Sequence, residues 1–441
     1  MRFESQKVAM YFFAGALLLF AAQVAVGLLA GTVYIAPNFL AELIPFNVIR
    51  MIHTNTLIVW LLMGFMGATY YIVPEECETE LHSTALAKVQ FFIFLIAGAS
   101  AVVGYLFGIH EGREFLEQPL PIKVLIVISV LMFLYNVTMT AFKGKRTAIT
   151  NILLLGLWGA ALFFLFSFYN PANLALDKMY WWYVVHLWVE GVWELIMAAI
   201  LGYLMIKLTG IDREVVEKWV YIIVALALVT GLLGTGHHYY WIGTPGYWKW
   251  VGNIFSSLEI LPFLAMTIFS FMMVWKGGRD HPNKAALLWA LGCSVLAFFG
   301  AGVWGFMHTL SSINYYTHGT QITAAHGHLA FYGAYVCLNL AIMTYAFPYL
   351  RKSKPYGQVM NMVSFWMMSG GMVFMTLVLT FAGVVQTHLQ RVNGENFMYV
   401  QEQLQIFFTM RVMAGVVVVL GALLFIYSLA LAKRKSLTAS E

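Results

Sequence analysis

The sequence predicts an all-α membrane protein of about twelve transmembrane helices, and three observations lead there. Its 441 residues are 61% hydrophobic and 10% charged, with mean hydropathy +0.78, which leaves too little polar surface to cover a water-soluble globule of that size. Apolar stretches of the roughly 20 residues needed to cross a hydrocarbon core recur along the whole chain. The alternation of about ten residues per span that marks a membrane barrel is absent, so the spans form a helical bundle.

In chain order the apolar stretches centre near residues 20, 62, 98, 132, 158, 193, 230, 263, 298, 334, 372 and 418. The first, Tyr11 to Leu29, has a short charged lead and no small-residue cleavage site, so it is read as a retained span. An even count puts both termini on one side. Five basic clusters fall on that side: Lys143, Lys145 and Arg146; Lys207, Arg213 and Lys218; Lys276, Arg279 and Lys284; Arg351, Lys352 and Lys354; and Lys433, Arg434 and Lys435. The opposite loops hold little beyond Arg50, Arg113, Lys123, Lys178, Lys249 and Arg391. Because cytoplasmic loops retain Lys and Arg, both termini are expected in the cytoplasm. The net charge of +5 is then a consequence of topology and calls for no nucleic-acid partner. Residues 1–441 read as a single polytopic membrane domain with the lipid bilayer as its surroundings. Cys77, Cys293 and Cys337 are scattered and form no C-x-x-C-H, which excludes a covalent c-type haem in this chain.

An ionisable side chain at membrane depth is costly and usually functional, and most of the twelve histidines lie in or at the ends of spans. His82, His110 and His281 fall in loops, and His308, His318 and His388 read as hydrogen-bonded interfacial imidazoles. In AAHGHLAFYGAY, His326 and His328 are two residues apart, so they point about 200° from one another on a helix. One helix can thereby serve two haems, with Gly327 removing a side chain that would crowd them; two separate polar contacts would also account for this pair alone. His53, in RMIHTNTLIVW, lies at a depth similar to His328, and an axial pair from two helices gives a low-spin electron-transfer haem.

A second centre is indicated by HLWVEGVWE, where His186, Glu190 and Glu194 recur every four residues along one helical face. The next span ends in GTGHHYYW, and a local helix distortion permitted by Gly234 and Gly236 would let His237 and His238 converge. Three imidazoles and one carboxylate suit a non-haem iron, since the carboxylate hardens a site that three histidines alone would offer to copper. A helical hydrogen bond would explain His186 and Glu190 by themselves.

These residues resemble the haem-copper oxidase superfamily and, within it, the cytochrome c-dependent nitric oxide reductases. RMIHTNTLIVWLLMGFMGATYYIVPEE, GREFLEQP, YWWYVVHLWVEGVWELIM, GTGHHYYWIGTPGYW, GAGVWGFMHTL and INYYTHGTQITAAHGHLAFYGAY are all similar to that family's large subunit, and the likeness covers essentially the whole chain. The resemblance implies a haem-copper oxidase-like bundle in the bacterial inner membrane. In it His53 and His328 would ligate low-spin haem b, His326 high-spin haem b3, and His186, His237, His238 and Glu190 the facing non-haem iron. It also implies that Glu194 and Glu259, in FSSLEILPF, act near the iron in proton supply, that Glu114 holds a structural calcium, and that Arg50 or Arg113 neutralises haem propionates. The H-P-E-V-Y pattern of oxygen-reducing relatives is missing and position 190 is Glu, which points to NO as substrate. A membrane-anchored cytochrome c subunit is the implied partner, forming a heterodimer and receiving electrons from a periplasmic donor. A terminal oxygen reductase, a quinol-fed reductase and a haem-free transporter with a histidine proton relay are the competing expectations.

Overall fold

Spans two, six and ten stand apart from the other nine. In their most apolar stretches 83%, 83% and 89% of residues are buried, against 33–61% elsewhere, so three central helices are wrapped by a ring of lipid-facing ones. The structure is a computed structural model and describes residues 2–277 and 280–432. Arg279, Lys433, Arg434 and Lys435 of the basic clusters lie outside the described residues.

Among the described residues twelve helices are long and apolar enough to cross a membrane. They run Glu4–Val33, Phe46–Glu76, Thr84–Leu106, Leu120–Lys143, Ala148–Phe168 and Leu174–Thr209, then Arg213–Tyr239, Tyr247–Lys276, Lys284–Thr309, Gln321–Leu350, Gln358–Val392 and Gln405–Ala430. The boundaries follow local chemistry. Ser83, Thr147, Asn173, Asn283, Thr320 and Asn396 accept a backbone N–H at a helix start, and Gly210 closes span six in the left-handed conformation. Lys352 lies 3.9 Å from Glu4, and Arg351 donates to the Leu429 carbonyl at 2.7 Å, so both ends of the bundle meet on one side. That side is called the near side below.

Near-side halves of the central spans are regular helix, filled by Trp193, Tyr203, Leu204, Cys337, Met343 and their neighbours at essentially no exposure. Toward the far side regularity breaks down. Span six widens into a π-helical turn over Trp188–Val192, span nine over Phe298–Trp304, span ten over Tyr332–Val336 and span eleven over His388–Val392, while span seven tightens into a 3-10 turn over Thr235–Tyr239. The expectation of a straight stripe through His186, Glu190 and Glu194 is corrected here. Glu190 sits at φ −116°, ψ 24°, outside helical space, because the widened turn inserts there.

Candidate metal centre

His186 is fully buried. Its Nε2 lies 2.7 Å from the Gly231 carbonyl, which can only accept, so Nε2 carries the hydrogen and Nδ1 keeps its lone pair. That Nδ1 has no hydrogen-bond partner among the described residues and faces Glu190 Oε2 at 3.5 Å. His237 is oriented by a two-step relay: Ser256 Oγ donates to the Gly234 carbonyl at 2.8 Å, so it accepts from His237 Nδ1 at 2.7 Å. The lone pair is thereby left on His237 Nε2, 3.8 Å from Glu190 Oε2. His238 Nε2, buried and likewise unpartnered, lies 3.7 Å from Glu190 Oε1, with its ring stacked 4.5 Å over Trp182. The four ligand atoms of His186, Glu190, His237 and His238 all lie within 4.8 Å of one another. Three histidine nitrogens and one carboxylate converge in a largely buried space, with the outer nitrogens of His186 and His237 held by a backbone carbonyl and a hydroxyl, a donor set that fits an ion.

Glycine makes this convergence possible by leaving room. A Cβ at Gly231 would fall 2.0 Å from the Glu190 carbonyl oxygen, and one at Gly234 would fall 1.6 Å from Glu259 Oε1. Gly234 has ordinary helical angles, φ −60° and ψ −24°, so the expected conformational freedom is not what it provides. The turn that brings His237 and His238 together is the 3-10 segment itself. Glu259 Oε1 lies 3.7 Å from His186 Nε2, whereas Glu194 is buried beside the cluster and outside it. Both carboxylates keep one oxygen without a hydrogen-bond partner.

His53 is the eighth residue of span two and His328 the eighth of span ten, both counted from the far side, so they share a depth of roughly 10 Å at 1.5 Å per residue. His53 Nδ1 donates to the Gln23 carbonyl at 3.0 Å, His328 Nδ1 to Ala324 at 2.7 Å and His326 Nδ1 to Gly300 at 2.9 Å. In each the lone pair is left on Nε2, the outer-shell arrangement that orients a ligating histidine. A Cβ at Gly27 would strike the His53 ring at 2.4 Å, so span one is cut away to seat it. His326 faces span nine through Gly300 and Gly305, while His328 turns away toward Arg411 and His53, as their two-residue spacing requires. His308 contrasts with them: its nitrogens bond Thr317 at 3.0 Å and Thr323 at 3.1 Å, which makes it a hydrogen-bonded imidazole.

The expected Arg50, Arg113 and Glu114 lie in a far-side polar cluster. Arg50 pairs with Glu114, while Arg113 pairs with Asp177 and donates to the Ser167 carbonyl at 2.8 Å and the Tyr169 carbonyl at 2.7 Å. Glu114 accepts from Arg50 through its carboxylate and from Trp181 through its backbone carbonyl. Sequence reading missed Glu117, which accepts from Asn55 at 2.8 Å and whose carboxyl is pushed up by burial. It also missed Gln23 and Ser256, the partners that orient His53 and His237. Gln23 orients His53 through its backbone carbonyl, which no residue type announces.

The model of the family described as cytochrome c and quinol oxidase polypeptide I matches residues 7–417. A nitric oxide reductase subunit of Stutzerimonas stutzeri is 53% identical over 450 residues, covering 97% of this chain and 95% of the relative. The Cbb3-type cytochrome c oxidase subunit CcoN1 of the same organism is 22% identical over 427 residues, 89% of this chain and 86% of the relative. Among solved structures, a haem-copper terminal oxidase dimer studied by cryo-EM superimposes with TM-score 0.76 at 17% identity, over 99% of this chain and 86% of that one, which shows a shared fold. A family pattern running through eleven spans and into the twelfth, together with a relative half identical over nearly the full length, establishes that the chain belongs to the cytochrome c and quinol oxidase polypeptide I family.

Proposed function

We propose that this chain is the catalytic subunit of a nitric oxide reductase, converting two NO, two electrons and two protons to N2O and water at a haem b3 and non-haem iron centre. The observation that carries this reading is Glu190 set among three histidine lone pairs, a carboxylate-bearing donor set that suits iron over copper. The 53% identity to a relative named as a nitric oxide reductase subunit supports the substrate.

His53 and His328 would hold low-spin haem b, His326 high-spin haem b3, and His186, His237, His238 and Glu190 the non-haem iron. When bound, two irons supply a site for each NO and Lewis acidity toward charge developing on oxygen. The protein's own work is orientation and charge. Gly231 fixes the His186 tautomer and Ser256 that of His237, while Glu190 offsets a cation that neutral imidazoles leave uncompensated in a low-dielectric interior. Glu259 and Glu194 each bring an unpartnered carboxylate oxygen to the edge of the centre, where it can take up or release a proton. Arg50 and Arg113 stay candidates for the propionate edge, since both lie in the far-side cluster above His53.

The Lys and Arg distribution supports cytoplasmic termini and a far side facing the periplasm, with residues 1–441 as one multi-pass domain of the bacterial inner membrane. Without a C-x-x-C-H in this chain, electrons would enter from a periplasmic donor through a membrane-anchored cytochrome c subunit in a heterodimer.

Metal and haem analysis of the purified chain should find two b-type haems and one non-haem iron, and turnover should favour NO over O2. Copper in place of the iron would overturn the reading in favour of an oxygen reductase. Glu190→Gln should keep both haems and lower NO reduction at least tenfold, about 1.4 kcal/mol of transition-state stabilisation. Wild-type turnover in that variant would remove Glu190 from the site.

A further inference from the structure

Two of the widened turns are joined by a single side chain. Tyr335, in the π turn of span ten, donates its hydroxyl to the carbonyl of Val189, in the π turn of span six. Val189 immediately precedes Glu190, whose backbone leaves helical space at φ −116°. On the other flank the Glu190 carbonyl is pressed against the Gly231 Cα, where even a methyl group would come within 2.0 Å. The peptides on both sides of Glu190 are therefore held from outside span six. The Tyr335 ring has little freedom to move: it is 3% exposed and packs edge-on to Trp193 at 5.2 Å and Phe65 at 6.1 Å.

We propose that Tyr335 is a positioning residue that aims the Glu190 carboxylate at the metal by holding the Val189 carbonyl. A widened turn leaves a carbonyl without its ordinary helical partner, and a buried carbonyl in that state is destabilising unless it finds a donor. The tyrosine supplies the donor from the helix that also carries His326 and His328. The position of Glu190 is thereby tied to the histidine-bearing span. Without the hydroxyl, span six would lose its reason to stay widened at this point, and Glu190 would rotate back toward the helical stripe that its sequence spacing suggests.

The inference rests on the proposed metal centre, so the test reads metal retention. Wild type, Tyr335→Phe, Glu190→Gln and the double variant are purified as holoenzyme. Loss of non-haem metal to a ferrous chelator is then followed, with haem content and the optical spectrum recorded in parallel. Tyr335→Phe should lose the metal at least tenfold faster with both haems retained. In the Glu190→Gln background the same change should add less than twofold, because the hydroxyl acts through that carboxylate. Wild-type retention in Tyr335→Phe, independent multiplication of the two effects, or loss of haem together with the metal would each overturn the proposal. The identity of the metal in wild type tests the functional reading separately, since the coupling between Tyr335 and Glu190 can be read with whichever ion is bound.

Discussion

The near-side and far-side halves of the central spans are built from the same three helices to opposite specifications. On the near side span six is an unbroken helix from Trp193 to Thr209, and its side chains meet Tyr71, Tyr345 and other buried residues of spans two and ten. On the far side the same span widens, turns the Val189 carbonyl to Tyr335 and, with span seven, gathers four ligand atoms into one space. Close packing of apolar side chains fixes a helix without help from its backbone, whereas converging polar groups must be held one at a time. Five of the six site histidines are accordingly tied by a named partner, Gln23, Ala324, Gly300, Gly231 or Ser256, while His238 is held by stacking on Trp182.

If this division is right, substitutions in the two halves should fail in different ways. The largest effect is expected at His53. His53→Ala should abolish the low-spin haem absorbance and donor-driven turnover while a high-spin, ligand-binding haem persists; an optical spectrum retaining both haems would break the assignment. Next comes Gly231→Ala, whose methyl would have to displace the Glu190 backbone. NO turnover should fall roughly 100-fold, about 2.7 kcal/mol, and non-haem iron should be depleted. Steady-state kinetics and metal analysis near wild-type values would show that the contact is compliant.

A near-side truncation should do the reverse. Leu201, 1% exposed, sits in the packed stretch of span six, and Leu201→Ala should cost about 2–5 kcal/mol of stability. The iron-to-haem ratio of the folded fraction should not change. Thermal unfolding in detergent with metal analysis decides this, and selective iron loss would show that the halves are not separable.

The smallest effect is expected at Glu117, where burial raises the carboxyl pKa against the lowering contributed by Asn55. A raised folded-state value means that the protonated form is favoured in the native protein. The associated stability is fully present below the ordinary carboxyl range near 4.3 and is lost as pH rises through the shifted value. Glu117→Gln keeps an acceptor for Asn55 and should flatten that decline. Melting curves across the interval would expose the error if the two proteins lost stability in parallel.

Much of the bundle was legible in the sequence because lipid imposes a one-dimensional rule: about 20 apolar residues, helical throughout, with Lys and Arg sorted by side. That rule located twelve spans, and the cost of a polar group at membrane depth singled out His53, His186, His237, His238, His326 and His328. The two-residue spacing of His326 and His328 also fixed that they face different neighbours, since helical geometry leaves no other choice.

Tertiary structure alone decided which helical turns widen or tighten, and that is where the site is made. Spacing put His186, Glu190 and Glu194 on one stripe, yet the widened turn keeps Glu190 with the histidines and leaves Glu194 beside them. No local signal in WVEGV announces this. Its partners, the Tyr335 hydroxyl and the space over Gly231, come from residues 146 and 41 positions away from Val189 and Glu190. Periodicity reports what a helix does when left alone. A carbonyl released from its own helix is stabilised only by a donor that another span brings, and which span arrives there is settled when the bundle closes.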